Sequence, residues 1–72
     1  MTQEDLVRMA NQIAANFAHH PPEQAAGEVA AHLRSFWAPS MRSALIADLG
    51  APELDPIVTD ALNLLQAQAS SK

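Results

Sequence analysis

Prolines and glycines divide this sequence into four intervals, and each interval carries a helical rather than an alternating pattern of apolar residues. Pro21 disfavours helical geometry in the residue before it, so the first helix is expected to stop near His20. Pro22, Pro39 and the Asp55-Pro56 pair suit the starts of three further helices. We therefore predict an all-α protein, a small bundle of about four short helices.

The apolar residues of each interval recur at spacings of three and four, which places them on one face of each helix. Thr2 is a candidate N-cap for the first helix, and Asp5 lies three residues after it. The predicted faces are Leu6, Met9, Ala10, Ile13, Ala14 and Phe17; Ala26, Val29, Ala30, Leu33 and Trp37; Met41, Leu45 and Leu49, with Gly50 as a C-cap; and Ile57, Val58, Ala61, Leu62, Leu64 and Leu65. Phe36 lies about 100° from Trp37 around the helix, so one ring is expected to pack inward and the other to face a neighbour.

The length of 72 residues leaves room for one core only. Alanine supplies much of the hydrophobic fraction of 49%, so the core is expected to be thin and its stability marginal or shared with a partner. We predict a single helical domain over residues 1–72. Apolar residues run out after Leu65, so the chain should fray from Gln66 onward, and residues 69–72 are expected to form a frayed tail.

Composition argues against several classes of protein. The chain has no cysteine, which removes disulfides, thiolate nucleophiles and cysteine-based zinc or iron–sulfur sites. No apolar run approaches the roughly 18 residues needed to cross a bilayer, so a soluble, cytoplasmic protein without membrane contact is expected. Four cationic residues against eight acidic ones, with a net charge of −4, provide no basic stripe for phosphates. Nucleic-acid binding is therefore disfavoured.

Residues that could carry catalysis are sparse. His19 and His20 are adjacent and would point about 100° apart on a helix, which is poor geometry for one metal ion. No serine lies in a nucleophile-elbow motif, and the isolated glycines Gly27 and Gly50 cannot form a phosphate-binding loop. The chain itself is therefore expected to be non-catalytic, with no metal or cofactor of its own.

Three stretches form an ordered set of motifs that spans nearly the whole chain. They are Met9-Ala10-Asn11-Gln12-Ile13, the pattern H-L-x-x-F-W-x-P-x-M-R over residues 32–42, and Leu54-Asp55-Pro56 with Val58, Ala61 and Leu62. In this order they resemble the delta subunit of the soluble, NAD-dependent, molybdenum-containing formate dehydrogenases. An acid commonly precedes the corner proline in that family, whereas Ala38 stands here, so the third helix is expected to lack its usual cap.

The resemblance implies an accessory subunit of a complex that oxidises formate to carbon dioxide and reduces NAD. It places the chemistry in other subunits: an alpha subunit with a bis-molybdopterin guanine dinucleotide and iron–sulfur clusters, and beta and gamma subunits with flavin mononucleotide (FMN) and further clusters. This chain is then expected to dock directly on the alpha subunit and to support assembly, cofactor insertion or retention, or stability. The alternative is a transient helical assembly factor that leaves the mature molybdoenzyme.

The segment at residues 32–42 also gathers residue types that are enriched at the buried centre of interfaces, namely the single Trp, a Met and two of the three Arg. The predicted partner-binding residues are Asn11, Gln12, His32, Phe36, Trp37, Met41 and Arg42. Arg42 is suited to a bidentate contact with a partner carboxylate. Other roles stay open for some of these residues. Trp37 could form the core of the corner, and His32 could be a hydrogen-bonded residue at its edge. Asn11 and Gln12 could be ordinary solvated amides.

Overall fold

The computed structural model describes residues 2–70, with side chains described for residues 2–68. Within that range the chain forms four α-helices, namely α1 (Gln3–Asn16), α2 (Pro22–Phe36), α3 (Pro39–Ile46) and α4 (Pro56–Ser70). No strand occurs among these residues. The predicted all-α bundle of four helices is therefore confirmed.

The starts of α1 and α4 follow their sequence signals. The Thr2 hydroxyl accepts a hydrogen bond from the Asp5 N–H, and the Asp5 carboxylate accepts one from the Thr2 N–H, both at 3.1 Å, which is a reciprocal capping box. The hydrogen bond from the Thr2 backbone is the main reason that the pKa of Asp5 lies below its ordinary value. Asp55 Oδ1 accepts from the Ile57 N–H at 2.9 Å, so Asp55 is the N-cap of α4, with Pro56 as the first helical residue.

The start of α3 has no comparable cap. Ala38 occupies the N-cap position in an extended conformation, with φ −64° and ψ 148°, and makes no side-chain hydrogen bond to the helix. Pro39 follows as the first helical residue, where its missing N–H costs no hydrogen bond. The expectation that this helix lacks its usual cap is confirmed.

Two helices end earlier than the sequence predicts. α1 ends at Asn16 rather than near His20, because the Phe17 N–H bonds to the Ala14 carbonyl three residues back. α3 ends at Ile46, and the chain continues in turns of the same three-residue spacing. Gly50 has φ +94°, a backbone conformation that other residues rarely adopt. It therefore shapes the turn that leads into the loop before α4 and does not cap α3.

The end of α4 extends beyond the predicted point. The sequence predicts fraying from Gln66, whereas the helix continues to Ser70. Alanine and glutamine, which make up most of this last part, are good helix formers. The Gln68 side chain also accepts a hydrogen bond from the Arg34 guanidinium on α2. Within the predicted frayed tail, residues 69–72, Ser71 and Lys72 lie outside the described residues.

The core lies mainly between α2 and α4, which pack together most extensively, and α1 and α3 close it. The largest fully buried side chains are Leu33, Leu45, Leu62, Val29 and Val58. Alanines on α1, α2 and α4 belong to the same cluster, and their small side chains allow close approach of the helix axes. Met9 and Leu64, which belong to the predicted apolar faces, are 37% and 39% exposed and do not belong to the buried core cluster.

Candidate functional site

The candidate site lies at the corner where α2 gives way to α3. α2 ends at Phe36, and Trp37 has extended backbone angles of φ −94° and ψ 140°. Ala38, which precedes Pro39, is extended as well. A residue before proline disfavours helical geometry, so the local sequence itself dictates the break between the two helices.

The two aromatic rings at this corner have opposite environments. Trp37 is 6% exposed and belongs to the buried core cluster, whereas Phe36 is 76% exposed. The ring centroid of Phe36 lies 4.8 Å from that of His32, one helical turn earlier, with an angle of 44° between the ring planes. Trp37 is thus the inward ring and Phe36 the outward one. The His32–Phe36 pair forms an aromatic patch on the surface of α2.

Arg42 on α3 turns back onto the end of α2. Its Nη1 donates to the Trp37 carbonyl at 2.6 Å and to the carbonyls of Leu33 and Arg34, each at 3.3 Å. The Leu33 carbonyl also accepts a hydrogen bond from the Trp37 N–H, whereas the Arg34 carbonyl, one of the last of the helix, has no partner within it. These carbonyls form the negative end of the helix dipole. The guanidinium therefore caps α2 from outside. Every hydrogen bond that Arg42 makes to the described residues uses Nη1.

A groove of about 380 Å³ lies beside this cap, among residues of α2, α3 and α4. We call it the arginine groove; it is lined by Arg34, Pro39, Arg42, Ser43, Ile46, Leu65, Gln66 and Gln68. Its walls combine two guanidinium groups with apolar side chains and neutral polar ones. The sequence prediction missed Arg34 as a member of this site, because its contact with Gln68 joins residues that are 34 positions apart.

Asn11 joins α1 to the loop before α4. Its Nδ2 donates to the Glu53 carbonyl at 2.9 Å, and its Oδ1 accepts from the Asp55 N–H at 2.9 Å. Both ends of the amide are therefore engaged within the chain. The neighbouring Gln12 is exposed and lines, with Asn11, a second, open groove of about 560 Å³ that also includes Glu4 and Glu53.

The seven predicted partner-binding residues therefore fall into two places. His32, Phe36, Trp37, Met41 and Arg42 lie around the α2–α3 corner, where Met41 is half-buried against the core. Asn11 and Gln12 lie on α1, and the groove that they line shares no residue with the arginine groove. Among these seven side chains, Phe36 is the most exposed apolar one.

The histidines that follow α1 are arranged differently from the prediction. Because α1 ends at Asn16, His19 and His20 lie in a turn rather than on a helix, and their ring centroids are 4.1 Å apart. The His20 ring also lies 6.1 Å from that of Phe17. Among residues 2–70, no group of three or more His, Cys, Asp or Glu side chains is placed to hold a metal ion. Within the same range, no helix is both long and apolar enough to span a membrane.

Comparison with known families gives one match. A family model described as NADH-dependent formate dehydrogenase delta subunit FdsD matches residues 5–62 of the 72. The matched range extends from the first turn of α1 into α4 and includes all seven predicted partner-binding residues. No curated protein and no solved structure matches the chain.

Proposed function

Since the chain belongs to the family of NADH-dependent formate dehydrogenase delta subunits, we propose that it is a permanent, non-catalytic subunit of a cytoplasmic formate dehydrogenase complex. The complex converts formate and NAD into carbon dioxide and NADH. In this proposal the alpha subunit carries bis-molybdopterin guanine dinucleotide and iron–sulfur clusters, and the beta and gamma subunits carry FMN and further clusters. The absence of cysteine, the usual ligand of iron–sulfur clusters, supports their assignment to other subunits.

The exposed ring of Phe36 is the observation that carries the docking part of the proposal. Aromatic side chains supply much of the apolar area at protein interfaces, and they gain free energy when a partner removes them from water. Phe36 lies on helix α2 against the His32 ring, which limits the side-chain freedom it would lose on binding. We therefore propose that the His32–Phe36 pair contacts the alpha subunit directly.

The proposed role in the complex is support of assembly, of cofactor insertion or retention, or of stability. A subunit that binds the folded alpha subunit but not its unfolded form stabilises the folded form by mass action. The same binding would protect a bound cofactor if loss of the cofactor requires local opening of the alpha subunit.

Purification of the tagged chain from its native cell tests this proposal. The eluate is analysed for molybdenum, for formate-dependent NAD reduction and for the stoichiometry of the large subunits, and the enzyme from a deletion strain is analysed in parallel. We expect an active enzyme with near-equimolar large subunits in the eluate. A molybdenum-poor enzyme from the deletion strain would assign the chain to cofactor insertion or retention.

Other results of the same purification have distinct meanings. An eluate that holds only immature, molybdenum-free alpha subunit would indicate a transient assembly factor instead of a permanent subunit. An eluate without any large subunit would contradict membership of the complex. Gentle conditions are needed, because a complex of modest affinity dissociates rapidly after dilution.

Replacement of Phe36 by serine should weaken binding to the enzyme about tenfold, which corresponds to roughly 1.4 kcal/mol of binding free energy. The melting temperature of the isolated chain should change little, because the ring contributes little to the core. Leu64→Ser is the matched control, since it removes another exposed apolar side chain, on α4. Equal binding by wild type and Phe36→Ser would rule out the His32–Phe36 pair as the contact.

A further inference from the structure

We propose that the arginine groove binds a carboxylate-bearing segment of the alpha subunit. The inference rests on the proposed function and adds to it the location and the chemistry of one contact. Its basis is the distribution of positive charge in an otherwise acidic chain, whose formal net charge is −4.

The chain has only four cationic residues, Arg8, Arg34, Arg42 and Lys72. Arg8 is paired with the Asp5 carboxylate at 2.7 Å, and Lys72 lies outside the described residues. The other two line the arginine groove, and neither forms a salt bridge with a carboxylate of residues 2–68. An acidic segment is therefore repelled by the chain's overall charge and attracted at this groove, which is electrostatic complementarity of the kind that selects partners.

The hydrogen bonds at the groove leave donors available. Arg34 donates through Nη1 to the Gln68 amide oxygen, and Arg42 donates through Nη1 to three backbone carbonyls. A guanidinium has five N–H donors in a planar fork, so Nε and Nη2 of each arginine can still meet a carboxylate. The carbonyls at the end of α2 carry only about half a unit of negative charge, which is less than the full charge of Arg42.

Apolar walls favour a peptide segment over a small free anion. Pro39, Ile46 and Leu65 line the groove beside the arginines. A segment that bears Asp or Glu next to an apolar side chain would bury apolar area and form a charge-assisted hydrogen bond in the same groove. A small free anion could form the charge-assisted hydrogen bond but would bury no apolar area.

The test titrates tagged full-length chain with the enzyme from the deletion strain, at low and at high salt concentration. Arg34→Gln removes one positive charge from the groove, and Arg34→Lys, the matched control, keeps a positive charge at the same position. We expect Arg34→Gln to weaken binding about tenfold, Arg34→Glu to weaken it further, and Arg34→Lys to weaken it less than Arg34→Gln does. The loss should be larger at low salt, because salt screens exposed charges. Circular dichroism should show that every variant remains helical.

The outcomes separate this inference from the proposed function. If wild-type chain fails to bind the enzyme, the proposed function fails and the inference fails with it. If wild-type chain binds and Arg34→Glu binds equally well, only the groove assignment is overturned. Equal weakening by Arg34→Lys and Arg34→Gln would also overturn it, because binding would then not depend on the positive charge in this groove. The groove assignment is also overturned if Arg34→Glu changes the self-association of the isolated chain but leaves its binding to the enzyme unchanged.

Discussion

Replacing Trp37 with alanine should lower the free energy of unfolding of the isolated chain by about 3 to 5 kcal/mol. Trp37 belongs to the buried core cluster, so its removal leaves a cavity in a domain that has few large apolar side chains. A loss of this size is comparable to the whole stability of many small domains. Chemical denaturation followed by circular dichroism measures it directly.

Phe36→Ala is the control for the Trp37 experiment. The two residues are neighbours and both aromatic, but Phe36 is mostly exposed, so its replacement should cost less than about 1 kcal/mol of unfolding free energy. Trp37 is the single tryptophan, so the tryptophan fluorescence of the wild-type chain is a second measure of whether this ring is buried. If Trp37→Ala melts like wild type, the ring is not part of the core of the isolated chain. A Trp37 contact with the alpha subunit stays a prediction.

Replacing Asn11 with alanine should cost about 2 to 3 kcal/mol of unfolding free energy. The change removes the acceptor for the Asp55 N–H and the donor to the Glu53 carbonyl. Asp55 is also the N-cap of α4, so the loss should loosen the start of that helix as well. Chemical denaturation gives the global effect, and hydrogen exchange at the Asp55 N–H gives the local one.

Gln12→Ala is the matched control for Asn11→Ala. It removes the neighbouring amide, which is exposed, so the free energy of unfolding should change by no more than about 0.5 kcal/mol. If both variants unfold alike, the hydrogen bonds of Asn11 contribute nothing measurable. If only Asn11→Ala accelerates exchange at Asp55 but leaves global stability unchanged, the amide orders the loop without stabilising the bundle.

Some of the predicted partner-binding residues thus form hydrogen bonds that stabilise the chain itself. Asn11 joins α1 to the loop before α4, and Arg42 caps α2 through three carbonyl groups. Their residue types indicated polar contacts, but a type does not specify the partner. The partners of Asn11 lie more than 40 positions away, so a local pattern could not identify them.

Local chemistry determined the four helices and most of their starts. Prolines after helix ends, the Thr2 capping box and the Asp55 cap act within a few residues, so they can be read from the sequence alone. The spacing of apolar residues likewise predicted nearly all of the buried side chains. The resemblance of three motifs to the delta subunit family was equally visible in the sequence, and the family match confirms it.

The tertiary structure decided which ring of the Phe36–Trp37 pair is buried, and it placed Arg34 and Arg42, which form no salt bridge with residues 2–68, along one groove. Neighbours on a helix point about 100° apart, so the sequence requires two environments but does not assign them. The assignment depends on how the other helices pack around α2, and the arginine groove depends on the approach of α3 and α4 to the end of α2. These contacts join residues far apart in the chain, because the apolar faces of separate helices must cover one another to leave water.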